Sequence, residues 1–188
     1  MCSPEEVVAT ARRMAELGLV VGSFGNVSCR LDAGRILITP AKLAYSVMGA
    51  EDIVTLDLRG RKLAGRREPS SEFRLHLALY RARPDAKAIV HTHSVHAIAL
   101  SLRTEELPAF TEELKHGVGG AVLIAPYAPA GSQELADRAA ELLENTRAKG
   151  LILARHGVVG LGHDLEEALL VCQLIERGAQ AYLLGRLR

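Results

Sequence analysis

The 188-residue chain contains only three cysteines, Cys2, Cys29 and Cys172, and none of them belongs to a Cys-x-x-Cys pair. This odd count does not fit a disulfide framework and indicates a reducing compartment. A chain of this length buries roughly 70% of its unfolded surface, so its core needs no disulfide. We therefore expect the protein to be cytoplasmic.

The sequence also lacks an excess of charge of either sign. Its 23 lysines and arginines nearly balance 22 aspartates and glutamates, so no broad field favours nucleic acid or an anionic membrane. No apolar run approaches 18 residues, and no signal peptide precedes the chain as given. Internal repeats and low-complexity stretches are missing as well. We expect one domain over residues 1–188, with no nucleic-acid or membrane partner.

Helix caps and strand patterns alternate along the chain and indicate the fold class. Ser3 and Pro4, with Glu6 three residues after the cap, mark a helix start, and Gly18 marks its end. Further helices are expected over about 70–83, 95–102, 132–147 and 164–184. Strands are expected over about 35–39, 53–58, 62–65, 88–93, 122–125 and on both sides of residues 156–157. Hairpins interrupt the βαβ pattern, which predicts an α/β protein whose mixed, largely antiparallel sheet carries helices on both faces.

The spacing of three histidines would allow them to bind one metal ion. His91 and His93 project to one face of a predicted strand, because residues i and i+2 of a strand point the same way. His156 lies in a glycine-flanked turn, and Glu72 begins a predicted helix. Three imidazoles and a carboxylate would make a tetrahedral zinc site with one displaceable ligand. The alternative is a pair of ordinary strand histidines; His96 falls out of register and belongs to a helix.

Two polar turns could bind an anion. The segment GSFGNVS, residues 22–28, contains Ser23 and Asn26 among glycines whose backbone N–H groups could surround a phosphate. The segment PSSE places Ser70 and Ser71 at a helix N-terminus, where free amides also favour an anion. Ordinary turn and capping chemistry explains each segment alone. Beside a metal cluster, they together suggest an anionic ligand next to a Lewis acid.

Taken in order, the segments GNVS, ITP, PSSE, HTHSVHA and RHG resemble the class II aldolase/adducin family over nearly the whole chain. The resemblance implies a three-layer αβα fold and a cyclic homotetramer with active sites at subunit interfaces. It also implies one zinc ion per subunit. The zinc ligands by this resemblance are His91, His93, His156 and Glu72. The phosphate-binding residues by the same resemblance are Ser23, Asn26, Ser70 and Ser71.

The resemblance further implies a reaction. Its expected form is the reversible cleavage of a ketose 1-phosphate of the fuculose type to dihydroxyacetone phosphate and an aldehyde. Zinc would stabilise the enediolate that forms when a proton leaves the carbon next to the carbonyl. Glu72, displaced from the metal by the substrate, would be the base that takes this proton. The phosphate pocket would hold the reacting end in place.

The chain departs from the family pattern at two places. Lys42 replaces a glycine in the turn after Thr39 and Pro40, and it either supplies a cation to the phosphate or stays exposed. Glu112 stands where the aldolases carry a tyrosine that handles the aldehyde oxygen, and Glu113 takes that place if the alignment gap falls differently. Glu112 would then be the acid on the aldehyde side, unless this is simply a charged loop.

These departures keep other functions open. Glu112 and Lys115, three residues apart, resemble the pattern of the methylthioribulose-1-phosphate dehydratases of the same family. A ribulose-phosphate 4-epimerase is a further alternative, although such enzymes tend to carry aspartate at the position of Glu72. An adducin-like binding module without catalysis is the alternative outside the enzymes. That module would have lost metal ligands, whereas all four are present here.

Overall fold

The computed structural model describes residues 2–144 and 146–185 and builds them around one sheet. Its strands are β1 (Asn26–Arg30), β2 (Arg35–Ile38), β3 (Val54–Asp57), β4 (Lys62–Ala64), β5 (Ala88–Thr92), β6 (Glu106–Leu107), β7 (Val122–Ala125), β8 (Gly150–Leu153) and β9 (Gly157–Gly162). Among these described strands the order is β4-β3-β2-β1-β5-β9-β8-β7-β6. Every neighbouring pair is antiparallel except β7 and β8, which run parallel.

Helices cover both faces of the sheet. They are α1 (Pro4–Glu16), α2 (Phe73–Ala82), α3 (Val95–Leu100), α4 (Gln133–Glu144) and α5 (Leu165–Gly185). A 3-10 turn (Ala50–Asp52) and a π-helical turn (Glu113–Val118) lie between them. One core joins the sheet to α1, α3 and α5, and a second core joins its other face to α2 and α4. The mixed, largely antiparallel α/β architecture predicted from the sequence is confirmed.

The first helix forms for the reasons its sequence indicates. Ser3 accepts a hydrogen bond from the backbone N–H of Glu6, whose carboxylate accepts one from the Ser3 backbone in return. Gly18 follows the helix with φ +70°, a conformation that costs glycine little. The predicted cap of α2 is wrong: the helix begins at Phe73, and the Ser70 hydroxyl instead accepts the backbone N–H of Glu72.

The segment expected to be a glycine-rich turn continues into a strand. Gly25 has φ +75° and ends the turn, and β1 then pairs with β2 on one side and β5 on the other. Val27 and Cys29 are buried in the core under α1 and α5, whereas Asn26 and Ser28 are buried polar residues. The polar–apolar alternation of residues 26–29 was the signal for this strand.

The cysteines do not match the expectation of free thiols. Cys2 and Cys29 form a disulfide between the start of α1 and β1, with Cα atoms 6.2 Å apart, and Cys172 is a buried free thiol. Among the residues that the structure describes, no helix is both long and apolar enough to cross a membrane.

Close packing of β9 on α5 requires a glycine at position 160. A Cβ there would overlap the carbonyl oxygen of Ala168 and lie 2.9 Å from the Cys172 sulfur. We expect Gly160→Ala to lower the free energy of unfolding by about 2–3 kcal/mol in urea denaturation, because neither neighbour can move freely. Gly34→Ala is the control, since its nearest neighbour would be 3.9 Å away. Equal stability of the two variants would contradict this account.

Candidate active site

Four side chains from three parts of the chain meet at one end of β5. His91 lies within β5, His93 follows the strand, His156 lies in the turn before β9, and Glu72 immediately precedes α2. One ligand atom of each lies within 4.8 Å of one atom of every other. We call these residues the Glu/His cluster. The structure therefore brings together the four residues that the sequence analysis named, and their binding of a metal stays a prediction.

The turn that carries His156 can approach β5 because the next residue is a glycine. In the antiparallel pair of β5 and β9, Thr92 faces Val158, which places the start of β9 beside the end of β5. A Cβ on Gly157 would overlap the carbonyl oxygen of Thr92 and lie 3.2 Å from the His91 ring. A side chain at this position would push the turn away, and His156 with it.

Hydrogen bonds orient the ligand atoms. The Nδ1–H of His91 donates to the carbonyl oxygen of Val158 at 2.9 Å, which turns its Nε2 toward the cluster. The two oxygens of Glu72 lie apart: Oε2 is 3.1 Å from His91 Nε2, and Oε1 is 3.3 Å from His156 Nε2. Asn26 donates from its side-chain amide to Glu72 Oε2 at 2.9 Å. Glu72 is thus held by the sheet rather than by its own helix.

The cluster contains the buried polar atoms that lack a partner. Among the described residues, three buried side-chain atoms make no hydrogen bond: Glu72 Oε1, His91 Nε2 and His156 Nδ1. The first two have only ion-pair contacts with other members of the cluster. Such atoms are costly in a folded protein unless a further group satisfies them. Three imidazoles and one carboxylate are the donor set of many catalytic zinc sites. These residues therefore fit a metal ion, which would satisfy donor atoms that the protein leaves without partners.

Burial and mutual charge set the protonation of the cluster. Burial, together with the charge of His91, lowers the pKa of both His93 and His156 to about 4, so both rings are neutral at pH 7. Burial works against charge on Glu72 and His91 too. Their attraction nevertheless holds the pKa of Glu72 below its ordinary value and that of His91 above it. The cluster favours one positive charge beside Glu72, which a cation can supply in place of a proton.

The predicted phosphate residues form two groups in the structure. The backbone N–H of Ser70 donates to the carbonyl of Thr39 at 3.0 Å, which brings the turn containing Lys42 next to the segment PSSE. Lys42 is exposed and has φ +57°, the left-handed conformation that suits the glycine of the family pattern. Ser71 and Ser23 are exposed as well. Their binding of phosphate stays a prediction.

Asn26 has a different place from the one expected. The residue is 2% exposed, and its carboxamide joins Glu72 to a further buried histidine, His76, while its binding of phosphate stays a prediction. The turn before it is held by Tyr45, whose hydroxyl donates to the Gly25 carbonyl at 2.6 Å. In this arrangement the Asn26 side chain donates a hydrogen bond that orients the Glu72 carboxylate.

Glu112 lies apart from the cluster within its own chain. Its carboxylate accepts hydrogen bonds from Lys115 and His116 on the surface, and within the described residues it contacts no member of the cluster. The preceding strand β6 is three strands from β9 in the sheet, about 14 Å at the usual spacing. Within the described residues of one chain, Glu112 and the cluster therefore lie in separate parts of the fold, and a role of Glu112 in catalysis stays a prediction.

Sequence reasoning missed two residues near the cluster. Phe24 is 63% exposed, and its ring centroid lies 5.4 Å from that of His93, where it can contact a ligand. His76 is fully buried one helical turn after Glu72; the i, i+4 spacing was the available signal. His96 was correctly assigned to a helix, since it lies in α3 and its Nδ1 contacts Glu176 at 2.8 Å.

A separate cavity of about 650 Å³ lies at the other end of β5, between α1 and the start of α5. Lys87 and Ala88 line it at the beginning of the strand, whereas the Glu/His cluster gathers at the strand's end. No cluster residue contributes to its walls. We place the chemistry at the cluster because the unpartnered buried atoms are there, and size alone does not make a site.

Comparison with known proteins agrees with the site. Residues 5–183 match the family model described as "Class II Aldolase and Adducin N-terminal domain". The L-fuculose phosphate aldolase of Escherichia coli K12 is 38% identical over 178 residues, which are 95% of this chain and 81% of that protein. The 5-deoxy-D-ribulose 1-phosphate aldolase of Bacillus thuringiensis serovar kurstaki is also 38% identical, over 95% of this chain and 83% of its own length. A solved L-fuculose 1-phosphate aldolase superposes with a TM-score of 0.91 at 32% identity, covering 97% of this chain and 85% of that chain.

If the cluster holds a metal, one histidine should decide its occupancy. We expect the purified protein to contain about one metal ion per chain by elemental mass spectrometry. His93→Ala should contain less than about a tenth of that, since the variant loses one of the donors that hold the ion. His96→Ala is the matched control because His96 lies outside the cluster. Full metal content in His93→Ala would refute the assignment of the site.

Proposed function

Because the chain belongs to the class II aldolase and adducin family, we propose that it is a zinc-dependent aldolase that reversibly cleaves a ketose 1-phosphate to dihydroxyacetone phosphate and an aldehyde. The observation that carries the proposal is the Glu/His cluster, in which three buried side-chain atoms make no hydrogen bond. The same atoms make an adducin-like binding module a poor account, since a module without catalysis has no use for them.

The chemistry divides between the metal and Glu72. A zinc ion held by His91, His93, His156 and Glu72 would act as a Lewis acid that draws electrons from the substrate carbonyl. Glu72 is the base: in condensation it takes a proton from the carbon next to the carbonyl, and in cleavage it returns this proton to the three-carbon product. The charge of His91 and the Asn26 amide keep this carboxylate ionised despite its burial, and the amide also holds it in place.

The two polar turns are the proposed binding site of the substrate phosphate. Ser70, Ser71 and the Lys42 turn lie together beside Glu72, and Ser23 lies next to Phe24 at the opening by His93. The exposed hydroxyls of Ser23 and Ser71, the backbone amides of these turns and one ammonium group suit a phosphate dianion. Relatives of equal identity are named for fuculose phosphate and for 5-deoxyribulose 1-phosphate. The fuculose type is our proposal, and the size of the aldehyde would distinguish the two.

The proposal gives Glu112 a role at the active site of a neighbouring subunit. We propose a homotetramer in the cytoplasm in which Glu112 of one subunit reaches the cluster of another and gives the aldehyde oxygen its proton. Two features support this: the distance of Glu112 from its own cluster, and the partly exposed ring atoms of His93 and His156, which leave the site open on one side. Lys115, 2.7 Å from Glu112, keeps the carboxylate ionised, which is the form that takes the proton of the substrate hydroxyl in cleavage; in condensation the same proton returns to the aldehyde oxygen.

The reaction can be tested with the metal-loaded protein. We expect fuculose 1-phosphate to yield dihydroxyacetone phosphate, followed by a coupled reductase, and Glu72→Gln to lower kcat by at least about 100-fold because the base is lost. Glu141→Gln on α4 is the control, since this glutamate is exposed and far from the cluster. No product from any ketose 1-phosphate, with a full complement of metal, would overturn the aldolase and point to dehydration of methylthioribulose 1-phosphate.

The role of Glu112 across subunits can be tested by complementation. Glu112→Gln and Glu72→Gln should each be nearly inactive alone. When the two variants are co-expressed, a Glu72→Gln subunit supplies an intact Glu112 to the intact Glu72 of its neighbour, so part of the activity should return. If both groups acted within one chain, no hybrid site would contain both, and the mixture would stay inactive. Unchanged activity in Glu112→Gln alone would remove this residue from the mechanism.

A further inference from the structure

A fourth histidine lies behind the Glu/His cluster and is not part of it. His76 is one turn after Glu72 in α2, so both side chains leave the helix on the same face, toward β1. His76 is fully buried, and burial lowers the pKa of its ring to about 3. A neutral imidazole in this position has one N–H donor and one acceptor nitrogen to place.

His76 stands in the middle of a continuous chain of buried hydrogen bonds. The carboxamide of Asn26 joins Glu72 Oε2, at 2.9 Å, to His76 Nε2. On the other side of the ring, Nδ1 is 2.6 Å from the hydroxyl of Ser28, which is 2.9 Å from the hydroxyl of Tyr80. Every member of this chain is less than one-tenth exposed. Water has no place in it, so each proton position depends on the next.

The carboxylate imposes one direction on the whole chain. An ionised Glu72 only accepts, so Asn26 must present its NH₂ group to it and its carbonyl oxygen to His76. His76 must then carry its proton on Nε2. Its Nδ1 therefore accepts from Ser28, and Ser28 accepts from Tyr80. All four donors point toward Glu72, an arrangement in which each hydrogen bond strengthens the next.

We infer that His76 is a positioning residue for Glu72: its neutral Nε2–H locks the Asn26 carboxamide in the one orientation that donates to the carboxylate. Without this lock the carboxamide can turn over and set its oxygen against Glu72. The carboxylate would then leave the position from which it takes a proton. The inference rests on the proposed function only for its kinetic readout; the tautomer and the amide orientation are properties of the chain itself.

Two substitutions separate positioning from mere filling of space. In His76→Gln the side-chain amide reaches about the place of Nε2 and can still donate to Asn26. In His76→Asn the shorter amide reaches only about the place of Nδ1 and can still contact Ser28. Both variants bury one neutral amide in place of the ring, so both should lose stability. Only the asparagine variant should lose the contact that orients Asn26.

Because only one of the two variants loses the contact with Asn26, we expect them to differ in kcat. With metal at saturation, His76→Asn should lower kcat by roughly 10–100-fold, the effect typical of removing an outer support of a metal ligand. His76→Gln should stay within about fivefold of the parent chain, and KM should change little in either, because the phosphate contacts are untouched. The Kd for zinc, measured by competition with a chelator, should weaken in the same order. Equal losses in the two variants, or losses that simply follow their unfolding midpoints, would overturn the inference.

A measurement on the unsubstituted chain does not depend on activity. Long-range ¹H–¹⁵N correlation spectra of the histidine rings should show His76 as a neutral ring protonated on Nε2 at pH 7. A ring protonated on Nδ1, or on both nitrogens, would refute the hydrogen-bond direction and the inference with it. If the chain cleaves no ketose phosphate, the proposed function fails. The spectra and the zinc Kd then still decide the role of His76.

Discussion

The burial of the Glu72 carboxylate is the constraint on which the rest of the structure depends. A charge inside a protein is tolerated only when partners replace the water it has lost. Here the partners are Asn26 from β1, His91 from β5 and His156 from the turn before β9. Three strands that are neighbours in the sheet therefore supply the contacts that one helix end requires.

The same constraint explains the close backbone approaches around the cluster. Gly25 lets the turn before β1 come within contact of the His91 carbonyl, and Gly157 does the same for the turn before β9. A side chain at either position would push its turn away from the end of β5, where His91 and His93 lie. The ligands thus stand on rigid elements, with turns free of side chains between them, which suits a site that must keep its geometry during a reaction.

Residues close in sequence were well placed by sequence reasoning, and the reasons are local. The Ser3 capping box, the paired directions of His91 and His93, and the helix containing His96 depend on periods of a few residues. Strand β1 was missed because its glycine-rich entry resembled a turn, although its polar–apolar alternation was visible. The predicted cap at Ser70 or Ser71 was misplaced because the Ser70 backbone N–H donates to Thr39 and the helix begins only at Phe73. The contact of Asn26 with Glu72 was missed because nothing local connects the two residues.

The sequence by itself determined the ligand types, the helix and strand periods and the family resemblance, because each depends on residue chemistry at short range. Only the tertiary structure decided which groups meet. Asn26 and Glu72 are 46 residues apart in the chain, and their contact exists because β1 lies beneath the start of α2. The structure likewise separated Glu112 from the cluster of its own subunit. Long-range contacts follow from how the sheet is ordered, and no local pattern encodes that order.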